Sequence, residues 1–187
     1  MHLLLANNSA SGGGAAGAFE SIATVTASGG ETSVTFSSIP STYQHLQIRA
    51  HVRRGASGVG VIILQPNADT TTSNYAYHYL RGTGSAVSAF GTTGTAGMYL
   101  EQFSGTNYPA SGVSIIDIHD YASTSKNKTV RSFGGFDDNN TIGISRIQLS
   151  SGLWAQTTAI SSIVLTFGGD TLNAGSTFAL YGIKGAA

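Results

Sequence analysis

The residues able to do chemistry are few and scattered. Nine acidic side chains occur in 187 residues: Glu20, Glu31, Asp69, Glu101, Asp117, Asp120, Asp137, Asp138 and Asp170. Glycoside hydrolysis needs two carboxyl groups facing each other across a cleft. Glu101 with Asp117 or Asp120 is the pair the chain could offer, although nothing in the spacing selects it. Asp117-Ile118-His119-Asp120 is the most metal-like cluster, because carboxylate and imidazole suit several divalent ions. The same residues at a strand end would simply face water and cap a turn. Asp137-Asp138-Asn139-Asn140 is rich in oxygen ligands but lacks the spacing and terminal glutamate of an EF-hand loop. Asp and Asn also form ordinary turns, so a turn is the expectation. His45, His51 and His78 show no ligand spacing and read as surface groups. Tyr75, Tyr77, Tyr79 and Trp154 would form either a platform for sugar rings or part of a core or interface. There is no Ser–His–Asp order and no nucleophile elbow. Gly12-Gly13-Gly14 opens no helix and precedes no Lys-Ser/Thr, so it is not a phosphate loop. The absence of cysteine excludes disulfides and thiolate chemistry. No catalytic residue, metal or cofactor is assigned, and the expectation is a binding or structural protein that is not an enzyme.

The elements that would carry these residues are strands. Gln44 to Arg54 alternates most clearly, with Leu46, Ile48, Ala50 and Val52 on one face and His45, Gln47, Arg49, His51 and Arg53 on the other. Further strand-like runs lie around Ile22, at Val34–Phe36, Val59–Leu64, Tyr75–Leu80, Met98–Phe103, Val113–His119, Thr129–Phe133, Ile142–Leu149, Ile160–Phe167 and Thr177–Ile183. Val59–Leu64 is continuously apolar, as expected of a strand buried on both sides. Ten to twelve strands are counted this way, about as many as the turn signals between them allow. Pro40, Pro66 and Pro109 all fall between the runs. No stretch keeps a 3.6-residue period and no repeat of fixed length appears. The expected fold is all-β, an antiparallel sandwich of jelly-roll type, with an up-and-down barrel as the alternative.

Composition narrows the partners. Charged residues make up 10% of the chain and cancel to zero net charge, against roughly 25% in an average domain. Such a chain has no electrostatic reason to coat nucleic acid or an anionic membrane, and neither partner is expected. A β-rich chain with so few charges tends to associate through its strand edges unless they are covered. Residues 1–18 divide from the rest. Met1-His2-Leu3-Leu4-Leu5-Ala6 is a short apolar tip, and the Gly/Ala/Ser-rich stretch to Ala18 reads as a flexible linker. The tip is either an anchoring segment or a disordered start. Residues 19–187 form the sandwich domain. Arg49, His51 and Arg53, with Arg54 beside them, would present a basic strand face to an acidic partner or to solvent.

Three stretches carry a resemblance. Ile39-Pro40-Ser41-Thr42-Tyr43-Gln44-His45-Leu46-Gln47-Ile48-Arg49, Ser73-Asn74-Tyr75-Ala76-Tyr77-His78-Tyr79-Leu80-Arg81-Gly82 and Ala174-Gly175-Ser176-Thr177-Phe178-Ala179-Leu180-Tyr181-Gly182-Ile183-Lys184-Gly185 resemble segments of virion-associated proteins of tailed bacteriophages, cyanophages in particular. The resemblance spans roughly residues 19–185 and carries no catalytic residues. It implies a capsid cement, or decoration, protein on the outer surface of the virion. The expected partners are the major capsid protein and further copies of the chain, as a trimer. Leu3, Leu4 and Leu5 of the arm, with Arg49, His51, Arg53 and Arg54, are the candidate contact residues. A tail fibre, baseplate or receptor-binding module that recognises host glycans is the alternative.

Overall fold

The computed structural model describes residues 17–107, 110–137 and 145–185. Leu3, Leu4 and Leu5 of the expected arm, Asp138, Asn139 and Asn140 of the expected turn, and Pro109 therefore lie outside the described residues. Twelve strands are present: β1 (Phe19–Thr26), β2 (Ser33–Phe36), β3 (His45–Val52), β4 (Val59–Pro66), β5 (Tyr75–Thr83), β6 (Val87–Thr93), β7 (Met98–Ser104), β8 (Gly112–His119), β9 (Lys128–Phe136), β10 (Arg146–Trp154), β11 (Ile163–Thr166) and β12 (Thr177–Ile183). One 3-10 turn at Thr72–Asn74 is the only helical element among the described residues. No helix there is long and apolar enough to cross a membrane.

The strands form two antiparallel sheets. The larger has the order β1-β12-β3-β8-β9-β10-β5-β6, and the smaller β2-β11-β4-β7. The chain passes repeatedly from one sheet to the other, giving the expected antiparallel β-sandwich of jelly-roll type. β3 behaves as its alternation dictates: Leu46, Ile48, Ala50 and Val52 are buried. They meet Leu64, Leu165 and Phe167 from the smaller sheet and Phe178 and Leu180 from β12 in one continuous core. β4 departs slightly from the both-sides burial expected of it. Ile62, Ile63 and Leu64 are buried, whereas Val59 and Val61 are half-buried. β6 was not expected from sequence, since Val-Ser-Ala-Phe-Gly-Thr-Thr has no clear alternation. It exists because the Thr83–Ala86 turn folds it onto β5, with Thr83 N–H donating to Ala86 O at 2.8 Å.

β8, β9 and β10 reverse the usual polarity over part of their length. Ser114, Ser132, Gln148 and Ser150 are buried on the inner face, while Val113, Ile115, Phe133, Ile147 and Leu149 lie exposed on the outer one. Close approach of the sheets explains the inner side. A Cβ added to Gly152 would come within 2.6 Å of Met98 Sδ, and one added to Gly112 within 2.8 Å of Phe103 Cβ. At these two positions only glycine fits, whereas Ile116, Ile118, Val130 and Trp154 fill the inner face elsewhere on the same strands. Nothing within the described chain explains the apolar outer side.

Candidate docking face

Register places the outer apolar residues in rows across the larger sheet. Ile115 lies opposite Phe133, Phe133 opposite Leu149, and Leu149 opposite Leu80. These four form a continuous ridge over four strands. The neighbouring row runs Val113, Gly135, Ile147, Gly82, Val87. Its glycines leave slots between the apolar side chains. Ile115 and Phe133 of the ridge, with Val113, Gly135, Ile147 and Gly82 of the neighbouring row, line a groove of about 840 Å³ that also reaches Arg49. Counting Leu153, eight large apolar side chains are 37–77% exposed on this face. A large side chain presents on the order of 150–200 Å² when free, so the eight leave on the order of 600–900 Å² uncovered. That is the scale of one partner's share of a standard protein interface, and it exceeds the apolar patches usual on monomers.

The polar flank of the face is built by β3, β8 and β12. Arg49 is exposed and holds its guanidinium carbon 6.0 Å from the Phe19 ring centroid and 5.8 Å from that of Tyr181. Its Nε donates to Gln47 Oε1 at 3.0 Å, and Gln47 Nε2 donates to Asp117 Oδ1 at 2.8 Å. His51 is exposed one residue pair further along β3. Arg53 and Arg54, expected beside them, are used within the fold. β3 ends at Val52, so the alternation no longer governs them. Arg53 Nη2 donates to Thr106 O at 3.1 Å. Arg54 donates to Ser57 O and pairs with Asp170. Arg49 and His51 thus stand exposed on β3, whereas the half-buried Arg53 and Arg54 lie past the strand and also tie loops together at the end of the sandwich.

The chemical candidates are dispersed by the fold. Glu101 points between the sheets and is fully buried, with Ser132 Oγ donating to it at 2.9 Å. Asp117 stands on the opposite, outer face of β8, so the two carboxyls share no cleft. Burial pushes the Glu101 carboxyl up to about 8, and the Ser132 hydrogen bond offsets only part of this. Asp120 is held by Lys126 Nζ at 2.7 Å, an interaction that lowers its pKa. Its backbone N–H donates to His45 Nδ1 at 3.0 Å, and His45 meets the His119 ring edge-on at 5.2 Å. Among the described residues no three His, Asp or Glu side chains converge as a metal would require. His51 and His78 sit on strands separated by three others.

The aromatic platform expected from Tyr75, Tyr77, Tyr79 and Trp154 also divides. Trp154 is 3% exposed and its Nε1–H donates to Asp69 Oδ2 at 2.7 Å, while the buried Tyr75 donates to Asp69 O. Tyr77 and Tyr79 remain partly open, because β5 and β6 extend past β7, the edge of the smaller sheet. Tyr77 stacks on Tyr99 at 5.2 Å, and Phe90 of β6 lies 5.7 Å from Tyr79. Phe90 and Tyr99 were not singled out in the sequence. The β5–β6 hairpin alone brings Phe90 here.

The fold and site define an antiparallel β-sandwich with one uncovered apolar sheet face. The chain matches no protein-family model and no curated protein. Among solved structures it is similar to the galectin LEC-6 of Caenorhabditis elegans, at 11% identity over 83% of this chain and 94% of that one, with a TM-score of 0.35. It is also similar to an engineered GH43 glycoside hydrolase with endo-xylanase and exo-arabinofuranosidase activity. That match has 12% identity over 75% of this chain and 30% of the other, with a TM-score of 0.28.

Proposed function

We propose that the chain is a non-enzymatic structural protein of a tailed-phage virion that coats the outer capsid surface and strengthens it, with the outer face of its larger sheet turned toward the major capsid protein. The observation that carries this reading is the reversed polarity of β8–β10, which leaves the Ile115–Phe133–Leu149–Leu80 ridge in solvent while serines line the interior. A face built in this way gains its burial from a partner. A protein that binds only the assembled shell stabilises that shell by mass action, and the N-terminal arm adds a tethered second contact. The resemblance of the three segments to phage virion proteins supports the setting. The test is co-sedimentation with particles stripped of the protein. The wild type rebinds at hundreds of copies per particle. Phe133→Asp keeps its melting temperature within a few degrees and fails to bind. Equal binding of Phe133→Asp, or a few copies per particle, overturns the reading.

A second reading, a tail module that grips host glycans, rests on the open aromatic step of Tyr77, Tyr79, Phe90 and Tyr99. It requires saturable binding of a glycan that Tyr77→Ala abolishes, together with low copy number.

A further inference from the structure

Each sheet has two edges, and an edge strand exposes unpaired N–H and C=O groups that template pairing with another chain. Three of the four edges are blunted. β1 carries Glu20, bound to Lys184 Nζ at 2.5 Å, and its register breaks between Ser21 and Ala23. β2 is only four residues long. β7 bears the inward-directed Glu101, and the β4–β7 register breaks at Ile62/Ile63. β6 has none of these devices. Its seven residues, Val87-Ser88-Ala89-Phe90-Gly91-Thr92-Thr93, include no charge and no proline, its pairing with β5 is unbroken, and six of the seven are exposed.

We infer that the free edge of β6 is a self-pairing site, at which a second copy of this chain adds its own β6 antiparallel about a two-fold axis through Phe90. The central position of the strand is Phe90, so a two-fold pairing sets Phe90 against its copy, Ser88 against Thr92, and Val87 against Thr93. The contact is isologous and closes as a dimer, in place of the trimer expected from the resemblance. The absence of charge means that no like charges meet when identical strands pair. Phe90 projects to the same side as Tyr77 and Tyr79, so pairing joins two aromatic steps and covers rings that are open in the single chain. A seven-residue edge is about 23 Å long. With Val87 at 77% exposure and Phe90 at 49%, pairing buries on the order of 1,000 Å² in total, the lower bound of a specific interface. The inference stands on the sheet edges alone and does not depend on the capsid reading.

Sedimentation of the full chain tests it. The wild type runs as a dimer at tens of micromolar. The double variant Ser88→Lys/Thr92→Lys sets like charges opposite each other and runs as a monomer with an unchanged circular dichroism spectrum. Mixing it with Ser88→Glu/Thr92→Glu restores a dimer. The chain lacks cysteine, so register can be read directly. Phe90→Cys forms a disulfide-linked dimer under mild oxidation, because paired Cα atoms lie within disulfide range. Ser88→Cys alone does not, its two copies being about 14 Å apart along the strands, whereas mixed Ser88→Cys and Thr92→Cys chains cross-link. A monomeric or trimeric wild type, a dimer that survives the lysine pair, or equal self-linking at 88 and 90 overturns the inference.

Discussion

Replacing Glu101 by Gln should remove most of the pH dependence of stability between mildly acidic and mildly alkaline solution. Glu101 is fully buried, Ser132 is its hydrogen-bond donor, and its Oε2 has no partner. Gln148 Oε1 is also buried without one. The guanidinium groups of Arg81 and Arg146 donate to Gln102 Oε1, on the neighbouring residue, at 3.0 and 2.9 Å. Burial raises the carboxyl from 4.5 to about 8 in the fold, so between these values the folded state holds a proton that the unfolded state has released. Stability therefore is fullest below pH 4.5, falls as pH rises, and has lost the contribution above about pH 8. The gap corresponds to about 5 kcal/mol at 1.36 kcal/mol per unit, a large fraction of a typical 5–15 kcal/mol total. Gln keeps the shape and the acceptor for Ser132 and cannot ionise. Urea unfolding at intervals from pH 5 to 8 should show a slope near −1.4 kcal/mol per pH unit in the wild type. The slope in Glu101→Gln should be nearly flat. Parallel slopes in the two proteins would refute the argument and mean that the carboxyl reaches solvent or a cation.

Three further outcomes can be checked alongside. Burial alone would raise the Asp69 carboxyl, but hydrogen bonds from Trp154, Asn74 and Thr71 outweigh it and hold it at about 2, below its ordinary 3.8. Its contribution is thus complete above pH 3.8 and lost as pH falls through 2. Asp69→Asn should cost about 2 kcal/mol at pH 7 and shift Trp154 fluorescence toward that of a more mobile indole. Lys128 is buried, and its ammonium donates to the carbonyls of Ser123, Lys126 and Thr157 at 2.8, 2.7 and 3.0 Å. Lys128→Met leaves those carbonyls unpaired and should cost about 3 kcal/mol, read as a fall of roughly 6–12 °C in melting temperature. Deleting residues 1–18 removes the Ala18 carbonyl that accepts from Lys184 N–H at 3.0 Å, so it should lower the melting temperature by no more than a few degrees and release the protein from particles in co-sedimentation; undiminished occupancy would remove the arm's role.

The class of fold was legible because period-2 alternation is local. β3 could be read from Leu46, Ile48, Ala50 and Val52, and turn residues bounded most other strands at nearly the right places. β6 was hidden because a hairpin partner, not its own pattern, makes it a strand. The run expected at Ile142–Leu149 ends five residues before β10 does at Trp154, and its first three residues lie outside the described ones. Ile147, Leu149 and Leu153 of β10 face outward, so hydrophobicity misreports which side meets the core over most of that strand. Arg53 looked like a continuation of the β3 face, but alternation holds only while the strand lasts.

The sequence by itself determined that the protein is all-β with little charge and no cysteine chemistry, and left a sandwich and an up-and-down barrel both open until the two sheets decided for the sandwich. These are properties of composition and of neighbours two residues apart. Only the tertiary structure decided which side of β8, β9 and β10 is inside. It buried Glu101 on one face and left Asp117 on the other, drew Trp154 onto Asp69, and spent Arg53 and Arg54 on loops. It also turned the ridge from Ile115 to Leu80 outward, and, among the described residues, left the β6 edge without a guard. The physical reason is that strand register and the spacing between sheets are set by many distant contacts at once. At Gly152 and Gly112 the close approach of Met98 and Phe103 leaves no room for a larger side chain, a constraint that no run of neighbouring residues reveals.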